Sequence, residues 1–346
     1  MEFRTAAPPH AAPRQSVPQI MRQVLYALVP AAAVYTWFFG YGLLINFIVA
    51  AAAALTTEAA ILLLRRRSPR RSLRDGSAFV SAALLSFAIP PLVPWWIPAV
   101  GGFVAISLAK QLYGGLGKNP FNPAMVGYVL LLVSFPVEMT QWIPPRMGDL
   151  DYRHLGFVAT LAYSLGGTLP PDVAIDALTR ATPLDIVREG LRSARTFSEL
   201  RAGSLFGDFG GRGWEWVNNM IGLGGLYLLY AGVIRWQIPT ATLGGLLAPA
   251  TLLHLIDPSR YPGPGFHLFS GAAMLGAFFI ATDPVSAAAS DRGRLIYGAG
   301  IGLLTYGIRT WGGYPDGLAF AVLLMNASVP LIDRYTRPRI YGHSAR

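Results

Sequence analysis

The chain has 346 residues, of which 53% are apolar and only 13% charged, against about 25% charged in soluble domains, so an all-α integral membrane protein is predicted. Without cysteine, the chain has no disulfide, no thiolate-ligated iron–sulfur cluster and no Cys-rich zinc site of its own, and any redox chemistry must use an organic cofactor. The net charge of +10 does not signal nucleic acid, because the arginines flank apolar runs in the pattern that orients membrane helices.

Residues 1–20, with Pro8, Pro9, Pro13 and Pro18, lack the charged, apolar and small-residue regions of a signal peptide and read as a flexible cytoplasmic tail. A first transmembrane unit follows over 21–139. Its apolar runs are Val24 to Phe39, Gly42 to Leu64, Ser77 to Ile89, Val93 to Leu112 and Pro123 to Val137. The third is short and stops at Pro90-Pro91, as in helices broken inside the bilayer. Between the second and third lies the basic run Arg65 to Arg74, a strong cytoplasmic marker.

Gly117-Lys-Asn119-Pro-Phe121-Asn122-Pro-Ala-Met-Val-Gly-Tyr128 cannot be regular helix, since each proline lacks an amide donor and constrains the residue before it. Asn119 and Asn122 offer donors and acceptors suited to a heteroaromatic edge, and Phe121 or Tyr128 suits its face. The same asparagines are equally able to cap a broken helix.

Residues 140–213 form a polar segment too long for an ordinary connection. It contains Asp176-Ala-Leu-Thr179-Arg180-Ala181-Thr182-Pro183. This heptad resembles D-x-x-[S/T]-G-A-T, the acceptor at which flavin transferases esterify FMN to the last threonine. Arg180 stands where that motif has glycine, and a cation there suits a phosphodiester. An ordinary Thr-Pro turn has the same composition, because Pro183 restricts Thr182 to extended geometry. Glu189 to Arg201 is expected to form a short helix.

A second unit over 214–333 carries runs at Trp214 to Ile234, Thr240 to Ile256, Phe266 to Thr282, Leu295 to Ile308 and Leu318 to Ile332, before a tail at 334–346. The sum is about ten transmembrane helices in two five-helix repeats, each with a Gly-Pro turn before its last span. With the amino terminus inside, Arg65 to Arg74, Lys110 with Lys118, Arg235, Arg292 with Arg294 and the last tail are all cytoplasmic, and 140–213 is extracytoplasmic. His10, His154, His254, His267 and His343 are scattered; only His254 reads as intramembrane, which argues against a haem held by a His pair. Glu58, Lys110, Glu138 and Asp283 lie in or near apolar runs, where ionisable groups point to ion passage, to snorkelling or to capping. Glu58 is the deepest, and Thr282 with Asp283 is placed to cap a following helix.

Asp75-Gly-Ser-Ala, the Gly117 to Tyr128 run, the Asp176 to Thr182 heptad and Phe279-Ile-Ala-Thr282-Asp283-Pro284-Val-Ser-Ala together resemble the D component of the Rnf complex, the ion-translocating ferredoxin:NAD+ oxidoreductase. The B component of the Na+-translocating NADH:quinone reductase is a close relative, usually with a longer amino-terminal extension. The resemblance implies a urea-transporter-like fold, covalent FMN on Thr182 outside the cytoplasm, with Asp176, Thr179, Arg180 and Ala181 as its acceptor motif, and a noncovalent riboflavin assigned to Asn119 and Asn122 with Phe121. It implies a bacterial inner-membrane protein that passes electrons while the complex moves Na+ or H+, with Glu58 and Asp283 as ion-pathway candidates. Partners would be the A, B, C, E and G components of the Rnf complex, a flavin transferase for maturation and membrane lipid. No Gly-rich dinucleotide fingerprint is visible, so NAD and ferredoxin sites fall to those partners. A cofactor-free, urea-transporter-like solute channel is the alternative from another class.

Overall fold

The computed structural model describes residues 15–147, 154–171 and 173–336; most of the amino-terminal tail (1–14), Asp149, Asp151 and Asp172 of the polar segment and most of the carboxy-terminal tail (337–346) lie outside them. Helices α1 (Val17–Phe39) and α2 (Gly42–Leu64) come first, then the short α3 (Arg70–Leu73) and α4 (Ser77–Ala88). Helix α5 (Trp96–Val104) runs into a π-helical stretch, Ala105–Gln111, and α6 (Pro123–Ser134) and the short α7 (Pro136–Thr140) close the first half. The polar segment holds α8 (Phe157–Gly166), α9 (Ile175–Leu178), α10 (Pro183–Arg192) and α11 (Phe197–Arg201). The second half has α12 (Trp214–Tyr230), α13 (Gln237–Ile256), α14 (Pro264–Phe269), α15 (Ala273–Leu275) with a second π-helical stretch at Gly276–Ile280, α16 (Asp291–Trp311) and α17 (Leu318–Thr336). Four of these, α1, α2, α13 and α17, are long and apolar enough to cross a membrane.

Each expected apolar run contains helix, but two expected helices differ in shape. Phe266 to Thr282 is not one helix: α14 stops at Phe269, Gly271 turns the chain at φ +63°, and α15 begins two residues later. In the polar segment, Glu189 to Arg201 is divided between α10 and α11. Ala194 sits at φ +60°, and Thr196 starts a new helix by accepting from the Glu199 amide while Glu199 accepts from the Thr196 amide, a capping box that apolar periodicity does not reveal.

Two asparagines satisfy the carbonyls freed at the helix breaks, as a low-dielectric interior demands. Asn46 Nδ2 donates to Pro90 O after α4. Asn218 Nδ2 donates to Phe269 O and Gly271 O between α14 and α15. The halves share a packing plan. Helix α5 packs on α2 as α16 packs on α13, and the halves meet through α1 against α12 and α6 against α17. Glycine permits the closest crossings: a Cβ at Gly102 of α5 would lie 2.6 Å from Ala50 O of α2, and one at Gly298 of α16 would lie 2.7 Å from Ile238 O of α13.

The polar segment and the basic Arg65 to Arg74 run lie at opposite ends of α2. Tyr41, at the start of α2, packs on Phe157 of α8 with ring centroids 5.6 Å apart, and Arg146 N donates to Phe38 O at the end of α1. The basic run follows Leu64 at the far end of this 23-residue helix, roughly 35 Å away at 1.5 Å per residue, or about one hydrocarbon thickness.

Candidate functional site

Thr182 is the N-cap of α10. Pro183 at the first helical position fixes an entry angle, and Thr182 takes the extended conformation required before proline, at ψ 160°. Its hydroxyl donates to Asp185 Oδ2 at 2.6 Å, and the Asp185 amide donates back to Thr182 Oγ1 at 3.2 Å. The preceding heptad is held against the bundle by an isolated antiparallel bridge between Trp142 and Arg180, with Arg180 N donating to Trp142 O at 2.8 Å. Asp176, Ala177, Arg180 and Ala181 are exposed, Thr179 is half-buried, and Leu178 is buried as the anchor.

Thr182 lies on the wall of a cavity of about 390 Å³ between α10 and the helix bundle. Its aromatic lining comes from Phe87, Trp142, Trp214, Tyr128 and Tyr314, and its polar lining includes Asp185, Arg188, Asn218 and Asp316. Trp214 is locked by Trp142 at 5.3 Å and Phe39 at 4.6 Å between centroids, so that wall is rigid. Asp316 is paired: Arg309 Nη2 lies 3.1 Å from its Oδ2, and the Ala272 amide donates to the same oxygen at 2.8 Å. Flat aromatic walls, a cation and a hydroxyl at the rim suit a planar heteroaromatic group tethered through a phosphate. Arg180 does not line this cavity. Its Nη1 donates to Asp176 O and Thr179 O, and its side chain borders a small recess beside Trp142 and Pro145.

Asn119, Asn122 and Asp283 meet at a second cavity, of about 150 Å³, lined also by Thr282, Lys110 and Ser77 among others. Two sequence motifs more than 150 positions apart thus meet at one place, and both π-helical stretches border it, through Lys110 and through Phe278 and Phe279. Such local widening of a helix is frequent at functional sites. Asn122 is committed within the protein: its Oδ1 caps α6 by accepting from Met125 N at 3.2 Å, and its Nδ2 donates to Ile280 O at 3.2 Å. Asn119 keeps a free group, because its Nδ2 donates to Phe121 O while its buried Oδ1 has no partner. Phe121 lines neither cavity, whereas Tyr128 lines the larger one.

Asp283 does not cap the following helix. It closes a turn by accepting from Val285 N and Ser286 Oγ, Thr282 Oγ1 donates back to Phe278 O, and α16 is capped by Ser290. Glu58 is fully buried and paired with Lys110 Nζ at 2.6 Å; Ser72 Oγ and Gln111 Nε2 also donate to its Oε1, while Oε2 has no partner. Among the described residues the buried histidine is His267, 3% exposed, and His254 is half-buried near the end of α13. Among the described residues no group of His, Cys, Asp and Glu is arranged to hold a metal ion.

A helical bundle of membrane type, with a polar segment closing an aromatic cavity beside a threonine hydroxyl, defines the class. The model of the NQR2, RnfD, RnfE family matches residues 4–342. The chain is 51% identical to the D component of the ion-translocating oxidoreductase complex of Vibrio cholerae serotype O1, over 99% of this chain and 100% of the relative. It is 52% identical to the same component from Alcanivorax borkumensis, over 100% of this chain and 98% of the relative, and 51% identical to that from Aeromonas salmonicida, over 98% and 99%. The chain belongs to the NQR2, RnfD, RnfE family.

Proposed function

We propose that the chain is the membrane electron-transfer component of an Rnf-type ion-translocating oxidoreductase complex, with FMN esterified to Thr182 and its ring in the larger cavity. The observation that carries this reading is the Thr182 hydroxyl on the wall of an aromatic cavity of about 390 Å³. Full-length relatives named as the D component of an ion-translocating oxidoreductase complex, at 51–52% identity, favour the Rnf type over the quinone-reductase type. A bound flavin supplies the electron chemistry, and the protein positions it and sets its surroundings. Trp142, Trp214, Tyr128 and Tyr314 would exclude water from the ring. The outward-facing heptad, with Asp176, Ala177 and Ala181 exposed, would present the acceptor to a flavin transferase.

A noncovalent riboflavin is assigned to the smaller cavity, where Asn119 Oδ1 would accept from the ring and Lys110 would stand beside it. A likeness between the two halves favours this pairing of sites. Gly76 before α4 and Gly271 before α15 both take positive φ. The start of α4 lines the smaller cavity through Ser77, and the turn before α15 lines the larger one through Gly271. Two inverted five-helix units, about ten spans in all, would place the two flavins on opposite sides of a bacterial inner membrane. Thr182 would face the periplasm and both termini the cytoplasm. Ferredoxin and NAD sites belong to partners among the A, B, C, E and G components, and Glu58 and Asp283 are the candidates for passage of Na+ or H+.

The test is purification from native membranes. Other proteins of the oxidoreductase should copurify, with one flavin that survives denaturation and one that is released by it. A protein that purifies alone and without flavin would instead favour a solute channel.

A further inference from the structure

We infer that Arg188 is the cation that sets the redox equilibrium of the flavin on Thr182; the inference rests on the covalent-FMN reading above. Arg188 follows the N-cap threonine by six positions on α10, roughly 9 Å along the axis at 1.5 Å per residue. An extended ribityl chain covers a similar length, so a flavin tethered at Thr182 and laid along α10 would have Arg188 toward its ring and the α10 N-terminus toward its phosphate. Among the described residues that line the larger cavity, Arg188 is the one cation, facing the carboxylates of Asp185 and Asp316.

The guanidinium is incompletely used by the protein. Nη1 donates to Gly313 O, Nη2 lies 3.9 Å from Asp185 Oδ1, and Nε is buried without a partner. A guanidinium carries five donors and stays charged at any physiological pH. The surrounding carboxylates oppose added negative charge. Asp316 is neutralised by Arg309, whereas Asp185, which loses the Thr182 hydroxyl proton on esterification, keeps the Thr182 amide and meets Arg188 at the longer 3.9 Å separation. Reduction of the ring by two electrons from the partner proteins, with uptake of one proton, leaves one negative charge. In a partly buried cavity that charge is stabilised more by a fixed cation on its wall than by one turned toward solvent. Arg180, whose Nη1 is held by backbone carbonyls outside the cavity, does not meet this requirement.

The experiment is a spectroelectrochemical titration of the flavinylated full-length chain in detergent, comparing native protein with Arg188→Gln, Arg188→Met and Arg188→Lys. Glutamine keeps a donor for Gly313 O but drops the charge, lysine keeps the charge, and methionine drops both. With FMN still on Thr182, Gln and Met should shift the two-electron reduction equilibrium about tenfold toward the oxidised form, a midpoint about 30 mV lower. Lys should stay near native. An unshifted potential in flavinylated Arg188→Gln overturns the inference and leaves Arg188 as a brace for the Gly313 turn. If loss of that brace prevents Arg188→Met from folding, Arg188→Gln still decides. A native chain without denaturation-resistant flavin overturns the covalent-FMN reading, and this inference with it.

Discussion

Thr182 serves two structural demands with one side chain, as the N-cap of α10 and as a hydroxyl on a cavity wall. Its local geometry is legible in the sequence, because Pro183 dictates the extended conformation and Asp185 suits the cap. The arginine that departs from the acceptor motif is legible as a cation but not in its direction. Its guanidinium turns back onto the carbonyls of Asp176 and Thr179, so its replacement should not disturb the cavity. Arg180→Gly is expected to retain full flavin on Thr182, read by in-gel fluorescence after denaturation. Loss of fluorescence would mean that the transferase reads the arginine itself. Arg188, Trp142, Trp214 and Tyr314 do not stand out in the sequence because the cavity is assembled from segments as far apart as Phe87 and Ala319, and no local motif encodes their meeting.

Helix positions follow from apolar runs, and most ends fall within a few residues of them. What periodicity does not show is the irregular backbone. Of the two π-helical stretches, Ala105–Gln111 carries no Gly or Pro that would mark it in the sequence, and Gly276–Ile280 carries only the glycine at its start. The break at Gly271 is explained only once Asn218 is seen to hold the freed carbonyls on either side. The asparagines of the Asn-Pro run are similar. Asn122 reads equally as a ligand group or a cap, and three-dimensional context commits its amide to Met125 and Ile280. The same crossing is tied by Asn326 of α17, which accepts from Asn122 N at 3.1 Å and donates to Ser286 O at 3.1 Å and Tyr297 Oη at 2.7 Å. Asn326→Leu strands these buried groups and should cost about 1–3 kcal/mol, seen as a lower midpoint in thermal unfolding in detergent. An unchanged midpoint would show that water replaces the asparagine there.

At the scale of the molecule, charge pattern and packing agree on a two-sided design. The basic run after α2 and the polar segment carrying Thr182 lie at opposite ends of that helix, and the buried Glu58–Lys110 pair joins α2 to the first π-helical stretch near the smaller cavity. The absence of cysteine makes the orientation directly measurable. A single cysteine at Ser204 should react with an impermeant maleimide added to intact cells, and one at Ser68 only after the inner membrane is opened. The reverse pattern would invert the topology and put Thr182 out of reach of a periplasmic transferase. Esterification of Thr182 adds mass to the polypeptide, and intact-protein mass spectrometry reads that increment. Native chain produced with its flavin transferase is expected to be heavier than the bare polypeptide by one esterified FMN, on the peptide containing Thr182, and Thr182→Val to match the bare polypeptide. A native chain at the bare mass, or an increment that persists in Thr182→Val, would contradict the account.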